Sequence, residues 1–269
     1  MDVRPSSAAL AAWALCRREL VRFVRQRHRV IGAFATPIVF WVLIGAGMGH
    51  SFSGGPMTAG RGDFLEFFFP GTILMILLFT AIFSTISIIE DRKEGFLQGV
   101  LVSPVPRGAV VLGMVMGATL LAFVQGLIFV LLGPLVGIHL SAAGFVATCG
   151  MMLVISFALS ALGFAIAWRM TSTQGFHAIM NLFLLPLWFL SGALFPPDKS
   201  LGPMKWVIGI NPLTYGLDGI RRGLYWGNPA TGAALPSWTI CVGVSVAFAI
   251  AMYAAASAIA AGRTKADLE

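Results

Sequence analysis

The most specific polar cluster in this chain of 269 residues is Glu90-Asp91-Arg92-Lys93-Glu94-Gly95. Five consecutive charges of mixed sign do not make a lipid patch, because the acids oppose anionic headgroups. They suit a protein partner, or a solvated loop. Ser103-Pro104-Val105-Pro106-Arg107 closes the same stretch. A short helix over 91–102 is expected, stopped by the prolines. Little else here could do covalent chemistry. No G-x-x-x-x-G-K-[ST] phosphate loop occurs, nor any Gly-Lys dipeptide. His28, His50, His139 and His177 share no ligand spacing with a Cys or carboxylate. Cys16, Cys149 and Cys241 form no close pair and read as buried, inert thiols. Ser, His and Asp are present, but no G-x-S-x-G brings a nucleophile forward, which leaves an intramembrane enzyme a weak reading.

The elements that must position this cluster are membrane helices. Between Arg107 and Arg169 about sixty residues pass without one Asp, Glu, Lys or Arg. A charge at the bilayer centre costs roughly 2.5–3.5 kcal/mol on insertion scales, and a crossing takes about 20 apolar residues. The whole chain is 58% hydrophobic and 11% charged, far below the roughly 25% charged residues of soluble domains. Its net charge of +7 would suggest nucleic acid in a soluble protein. Beside apolar spans it points to anionic lipid instead, with no nucleic acid.

The expected fold is an all-α integral membrane protein with six transmembrane helices, over 30–49, 67–89, 108–133, 141–168, 176–194 and 236–261. The runs are continuously apolar rather than alternating, which excludes barrel strands. Gly133-Pro134 and Gly137 mark the turn inside the uncharged stretch. The N-terminus does not read as a cleaved signal peptide. With six spans, the side holding both termini carries thirteen Lys and Arg residues against five on the other. Both termini are therefore expected in the cytoplasm.

Two shorter elements flank the spans. Residues 6–29 read as an amphipathic interface helix. Leu10, Trp13, Ala14, Leu20, Val21 and Val24 share one sector, and Arg18, Arg22, Arg25 and Arg29 lie beside it, with Arg17 snorkelling out. Between the fifth and sixth spans, Asn211-Pro212 starts a short extracytoplasmic helix that dips into, or lies on, the outer leaflet. Leu213, Leu217, Ile220 and Leu224 form its stripe, and Asp218 and Arg222 an i,i+4 pair. No expected span contains Asp, Glu, Lys or Arg, which argues against an ion-coupled carrier. Gly113-x-x-x-Gly117 allows a close helix approach, within one subunit or between two. Phe68, Phe69, Phe183, Trp188 and Phe189 could line a path for an amphipathic molecule, or simply face lipid and pack. Pro186 kinks the fifth span or shapes its packing.

Glu90-Asp91-Arg92-Lys93-Glu94-Gly95, followed by Leu101-Val102-Ser103-Pro104-Val105-Pro106, resembles the cytoplasmic loop of type-2 ABC transporter permeases of the drug and nodulation-factor export type. Phe69-Pro70-Gly71 and Asn211-Pro212-Leu213-Thr214-Tyr215 are similar to two further signatures of that family. Phe96 stands where the family usually has Thr, and Gln98 where it often has Glu. The resemblance implies the permease subunit of an ATP-driven exporter in the bacterial inner membrane, not itself an enzyme. Two permease copies would pair as a homodimer over two ABC ATPase subunits, which would carry the ATP and Mg. The helix over 91–102 would be the coupling helix, with Glu90 to Gly95 and Leu101 at the ATPase. The N-terminal helix, through Trp13, Arg17, Arg18, Arg22 and Arg25, would brace that contact. Short re-entrant helices would precede the last span. The cargo would be an amphipathic drug, lipid or glycan-type molecule, passing between the permeases along the second and fifth spans.

Overall fold

The computed structural model describes residues 8–25, 35, 37–44, 47, 64–194, 202–228 and 235–262. All regular structure among them is helical. Half of the expected first span, 30–49, and the ends of the expected interface helix lie outside the described residues; 37–44 is helical. In chain order the helices are α1 (Ala8–Arg25), α2 (Phe64–Ser84), α3 (Ile86–Lys93), α4 (Phe96–Val102) and α5 (Arg107–Val130). They continue with α6 (Ala142–Ala167), α7 (Thr173–Trp188), α8 (Gly202–Ile210), α9 (Pro212–Leu224) and α10 (Trp238–Ala261). A 3-10 turn at Gly133–Val136 separates α5 from α6, and Gly137 ends it at φ 85°. Among the described residues, five helical stretches are long and apolar enough to cross a membrane: Phe64–Lys93, Arg107–Val130, Ala142–Ala167, Thr173–Ala193 and Trp238–Ala261.

Helix starts follow local side-chain chemistry. Ser141, Ser172 and Ser237 each accept a hydrogen bond from the backbone N–H three residues on, satisfying a donor that the first turn leaves free. Asn211 Oδ1 accepts from Leu213 N at 3.0 Å, and Pro212 supplies a preset first residue.

Among the described spanning helices α2 is the most enclosed and α10 the least. Phe68, Phe69, Ile73, Leu74, Leu77 and Leu78 of α2 are fully buried among α5, α6 and α7. Hydrocarbon supplies no hydrophobic drive between helices, so close packing must hold them. Small residues permit it. A Cβ on Gly144 of α6 would sit 2.5 Å from the Gly223 carbonyl of α9, so the two backbones cross almost in contact. That crossing places α9 inside the bundle, with Leu213, Leu217, Ile220 and Leu224 buried. The expected leaflet helix is thus enclosed by α6, α10 and the broken end of α7.

Candidate functional site

At one end of the bundle α2 runs on into α3, carrying the charged cluster on its last turn. The helix expected over 91–102 is divided. Gly95 adopts φ 76°, the left-handed region that glycine enters without steric cost, and α4 restarts at Phe96. Glu90 to Lys93 therefore belong to the end of the spanning helix, and Leu101 to the short helix beyond it.

Asp91 is fully buried at this elbow. Its two oxygens accept from Arg18 Nη1 and Nη2 at 2.6 Å each, a bidentate pair, and Arg22 Nη1 adds a third bond at 2.7 Å. Arg22 Nη2 donates to Glu90 at 2.7 Å. The other face of the Arg18 guanidinium lies 3.7 Å from the Phe96 ring centroid. A cation held between a carboxylate and an aromatic face gains from both. Phe96, the departure from the family pattern, thus has a definite job: it closes the Arg18 sandwich. The bond to Asp91 is also the main reason the Arg18 pKa is raised.

α1 reaches this elbow along α5. A Cβ on Gly113 would lie 2.6 Å from the Ala12 carbonyl, and one on Gly117 would lie 2.7 Å from Glu19 Cβ. The Gly-x-x-x-Gly pair is thus the seat of α1 within the same chain. Ala12, Leu15, Cys16 and Glu19 are buried on that seat, while Leu10, Trp13, Arg17, Val21, Val24 and Arg25 face outward. Sequence reasoning passed over Glu19. It is buried beside Arg18, at 3.2 Å, and its pKa is raised, chiefly by loss of solvation and against the hydrogen bond to Ser87. An acid one residue from Arg18, on the side opposite the obvious apolar sector, was the available signal.

Arg92 turns the other way. It donates to the Trp168 carbonyl at 2.6 Å and the Met170 carbonyl at 3.2 Å, capping the end of α6. Arg107 does the same for α10, donating to Ala260 O at 2.8 Å. The elbow is therefore tied to α1 through Asp91 and to α6 through Arg92. Of the sequence-predicted coupling residues, Asp91 is inside, Arg92 is half-buried, Glu90 and Gly95 are partly covered, and Lys93 and Glu94 face outward. Gln98, Gly99 and Val102 are exposed with them, and Leu101 is half-buried.

The aromatic residues predicted to line one path are not gathered on one surface. Phe68, Phe69 and Trp188 are core residues. Trp188 meets Phe68 edge-on at 5.9 Å and donates to the Gly71 carbonyl at 2.8 Å, while Phe69 stacks on Phe129 at 4.9 Å. Phe183 and Phe189 face outward from the fifth span. Two further expectations change. Asp218 pairs with Arg221 at 3.3 Å, not with Arg222, which donates to the carbonyls of Leu235 and Pro236. Arg221 is on the buried face of α9 and Arg222 points at the start of α10, so the neighbour three residues on wins. Glu66, placed before the second span by sequence, sits buried in the first turn of α2. Among the described residues no group of three or more His, Cys, Asp or Glu side chains could hold a metal ion.

Among the described residues nothing in this geometry activates a nucleophile. It builds a junction of α1, α3 and α6 with Lys93, Glu94, Gln98, Gly99 and Val102 exposed beside it. Comparison with known proteins gives the family. The model of the family described as ABC-2 type transporter matches residues 11–225, from α1 through α9. The ycf38 transport permease of Cyanophora paradoxa is 24% identical over 213 residues, 78% of this chain and 72% of its own length. Nodulation protein J of Rhizobium leguminosarum bv. viciae is 24% identical over 226 residues, 82% of this chain and 84% of its own. The daunorubicin resistance ABC transporter permease protein DrrB1 of Streptomyces coeruleorubidus is 22% identical over 228 residues, 81% of this chain and 77% of its own. With its apolar helices, its elbow and a family match over most of its length, this chain belongs to the ABC-2 type transporter family and is a membrane permease of an ABC transporter.

Proposed function

We propose that this permease is half of the membrane part of an exporter in the bacterial inner membrane, with both termini cytoplasmic. Two copies pair as a homodimer, and two separate ABC ATPase subunits dock below them and hydrolyse ATP with Mg. The cargo is an amphipathic molecule of drug, lipid or glycan type, in keeping with relatives named for nodulation and for daunorubicin resistance. One observation carries this reading. Asp91 joins α1 to the end of the spanning helix, and Arg92 joins that helix to α6, so a push on the exposed Lys93, Glu94, Gln98 and Val102 moves three elements together. An ATPase that binds two arrangements of this elbow unequally supplies the free energy of the movement. Phe183 and Phe189, on the outward face of the fifth span, border the passage between copies. Phe68, Phe69 and Trp188 set that helix in place from behind.

The test is co-purification with the ATPase, followed by ATP hydrolysis and export in vesicles. Glu94→Lys, on the exposed side of the elbow, is expected to insert normally yet separate hydrolysis from export. Wild-type export in that variant counts against the coupling surface. A gradient-driven carrier is the second reading, because Glu66 lies buried within a spanning helix. It predicts uphill flux from the purified permease alone, and such flux would end the ATP-driven account.

A further inference from the structure

The end of the bundle opposite the elbow holds a set of contacts that force transmission does not use. One spanning helix breaks there and a second carries a proline in its early turns. Pro70 lies inside α2 and has no N–H, so the Glu66 carbonyl loses its helical donor. Beyond α7 the segment Phe189–Ala193 is a π turn, and Gly192 leaves helical geometry at φ 80°, ψ 15°. In hydrocarbon an unmet backbone carbonyl costs several kcal/mol, so such breaks need donors from elsewhere.

One element supplies them. Asn211, the cap of α9, donates through Nδ2 to the Leu187 carbonyl at 2.7 Å. Arg221 donates to the Gly192 carbonyl at 2.9 Å. Tyr225, at the end of α9, donates to the Glu66 carbonyl at 3.4 Å. Arg221 is 2% exposed, braced by Asp218 at 3.3 Å, with its guanidinium 5.0 Å from the Phe67 ring centroid. The two helix ends also touch directly: a Cβ on Gly71 would lie 2.8 Å from the Ala193 carbonyl. Thus α9 grips the first turn of the second span and the broken end of the fifth at once, and among these three donors Arg221 is the charged one.

We propose that α9 is a latch that holds these two helix ends shut against water, and that Arg221 is its positioning residue. This rests on the transport reading only for its place in the cycle, where release of the latch opens the passage on the far side. The Arg221–Gly192 bond is the step that must break, because it binds the kink itself. Asn211 and Tyr225 hold the flanks.

The test reads water access rather than transport. Ser191 is buried beside Gly192, and Ser191→Cys is nearly isosteric. Cys149 and Cys241 are changed to Ala, and buried Cys16 in α1 is kept as a sentinel of unfolding. A polar maleimide is applied to open membrane fragments, so the result does not depend on which side either end faces. In this background neither thiol labels appreciably. Arg221→Met is expected to raise labelling at position 191 at least tenfold while Cys16 stays protected. Arg221→Lys retains a charged donor and is expected to stay within about threefold of the background. The proposal is overturned if Arg221→Met leaves position 191 protected, or if Cys16 labels in parallel, which would mean general loosening. Loss of ATP-driven export in the parent protein would instead sink the transport reading and leave the labelling result standing.

Discussion

The two ends of the bundle solve one problem, joining helices that hydrocarbon does not press together, with opposite chemistry. At the elbow one buried carboxylate, Asp91, gathers two arginines whose side chains are 29% and 20% exposed. At the far end the acceptors are backbone carbonyls beside helix breaks, and the donors are enclosed. The difference shows in what each junction responds to. An ion pair with one foot in water weakens with salt and can be traded for a partner's charges. A carbonyl held by a side chain inside hydrocarbon has no such alternative. The elbow is built to be adjusted from outside, and the far end to change only when a whole helix moves.

The largest expected effect breaks the elbow. Asp91→Asn leaves Arg22 with Glu90 and Arg18 with Glu19. Removing one partner of a fully buried pair costs about 3–5 kcal/mol; the part-exposed arginines reduce this to about 2–3 kcal/mol. Glu94→Gln, one turn on but exposed, is expected to stay within about 0.5 kcal/mol. Unfolding of both variants in detergent checks the contrast. Equal losses would mean that the charged run acts as a surface, not as a clamp around one residue. Gly117→Val follows, at about 1–3 kcal/mol from overpacking against Glu19, read as faster tryptic cleavage within α1. At the far end, Trp188→Phe gives up the bond to the Gly71 carbonyl for about 1 kcal/mol, and that loss is expected not to change with salt. Phe96→Thr removes the ring under Arg18 for about 0.5–1 kcal/mol. Its loss should shrink as salt rises, the opposite of the tryptophan.

What the sequence could convey divides along the same line. The chargeless run from Gly108 to Trp168 announces spanning helices, because the cost of charge in hydrocarbon is written in composition. The Asn211-Pro212 start is legible for the same kind of reason: cap chemistry is local. The Gly95 break is not, since a glycine within a charged, helix-forming run shows no sign of its φ. The seat of α1 was only half visible. Gly113-x-x-x-Gly117 marks a close approach without naming the partner. The face that fills it, Ala12, Cys16 and Glu19, has no hydropathy to stand out beside Leu10, Trp13, Val21 and Val24. The partner choice at Asp218 depended on which face of α9 is buried, and that is a tertiary fact.

The smallest effect tests the quietest part of the elbow. Burial raises the Glu19 pKa above its ordinary value near 4.3. The folded state therefore holds the proton more tightly than the unfolded chain does. The stability linked to this group is fully present below the unfolded pKa and is lost as pH rises through the folded pKa. Glu19→Gln mimics the protonated form at every pH. Relative to wild type the variant should gain in melting temperature as pH rises from about 4 towards neutrality, by a degree or two, and match it at the acid end. Glu90→Gln removes the acceptor that Arg22 reaches at 2.7 Å and should show no such gain. A gain at both positions would mean that the elbow as a whole carries surplus negative charge, and Asp91 would then lose its place as the main acceptor for the arginines of α1.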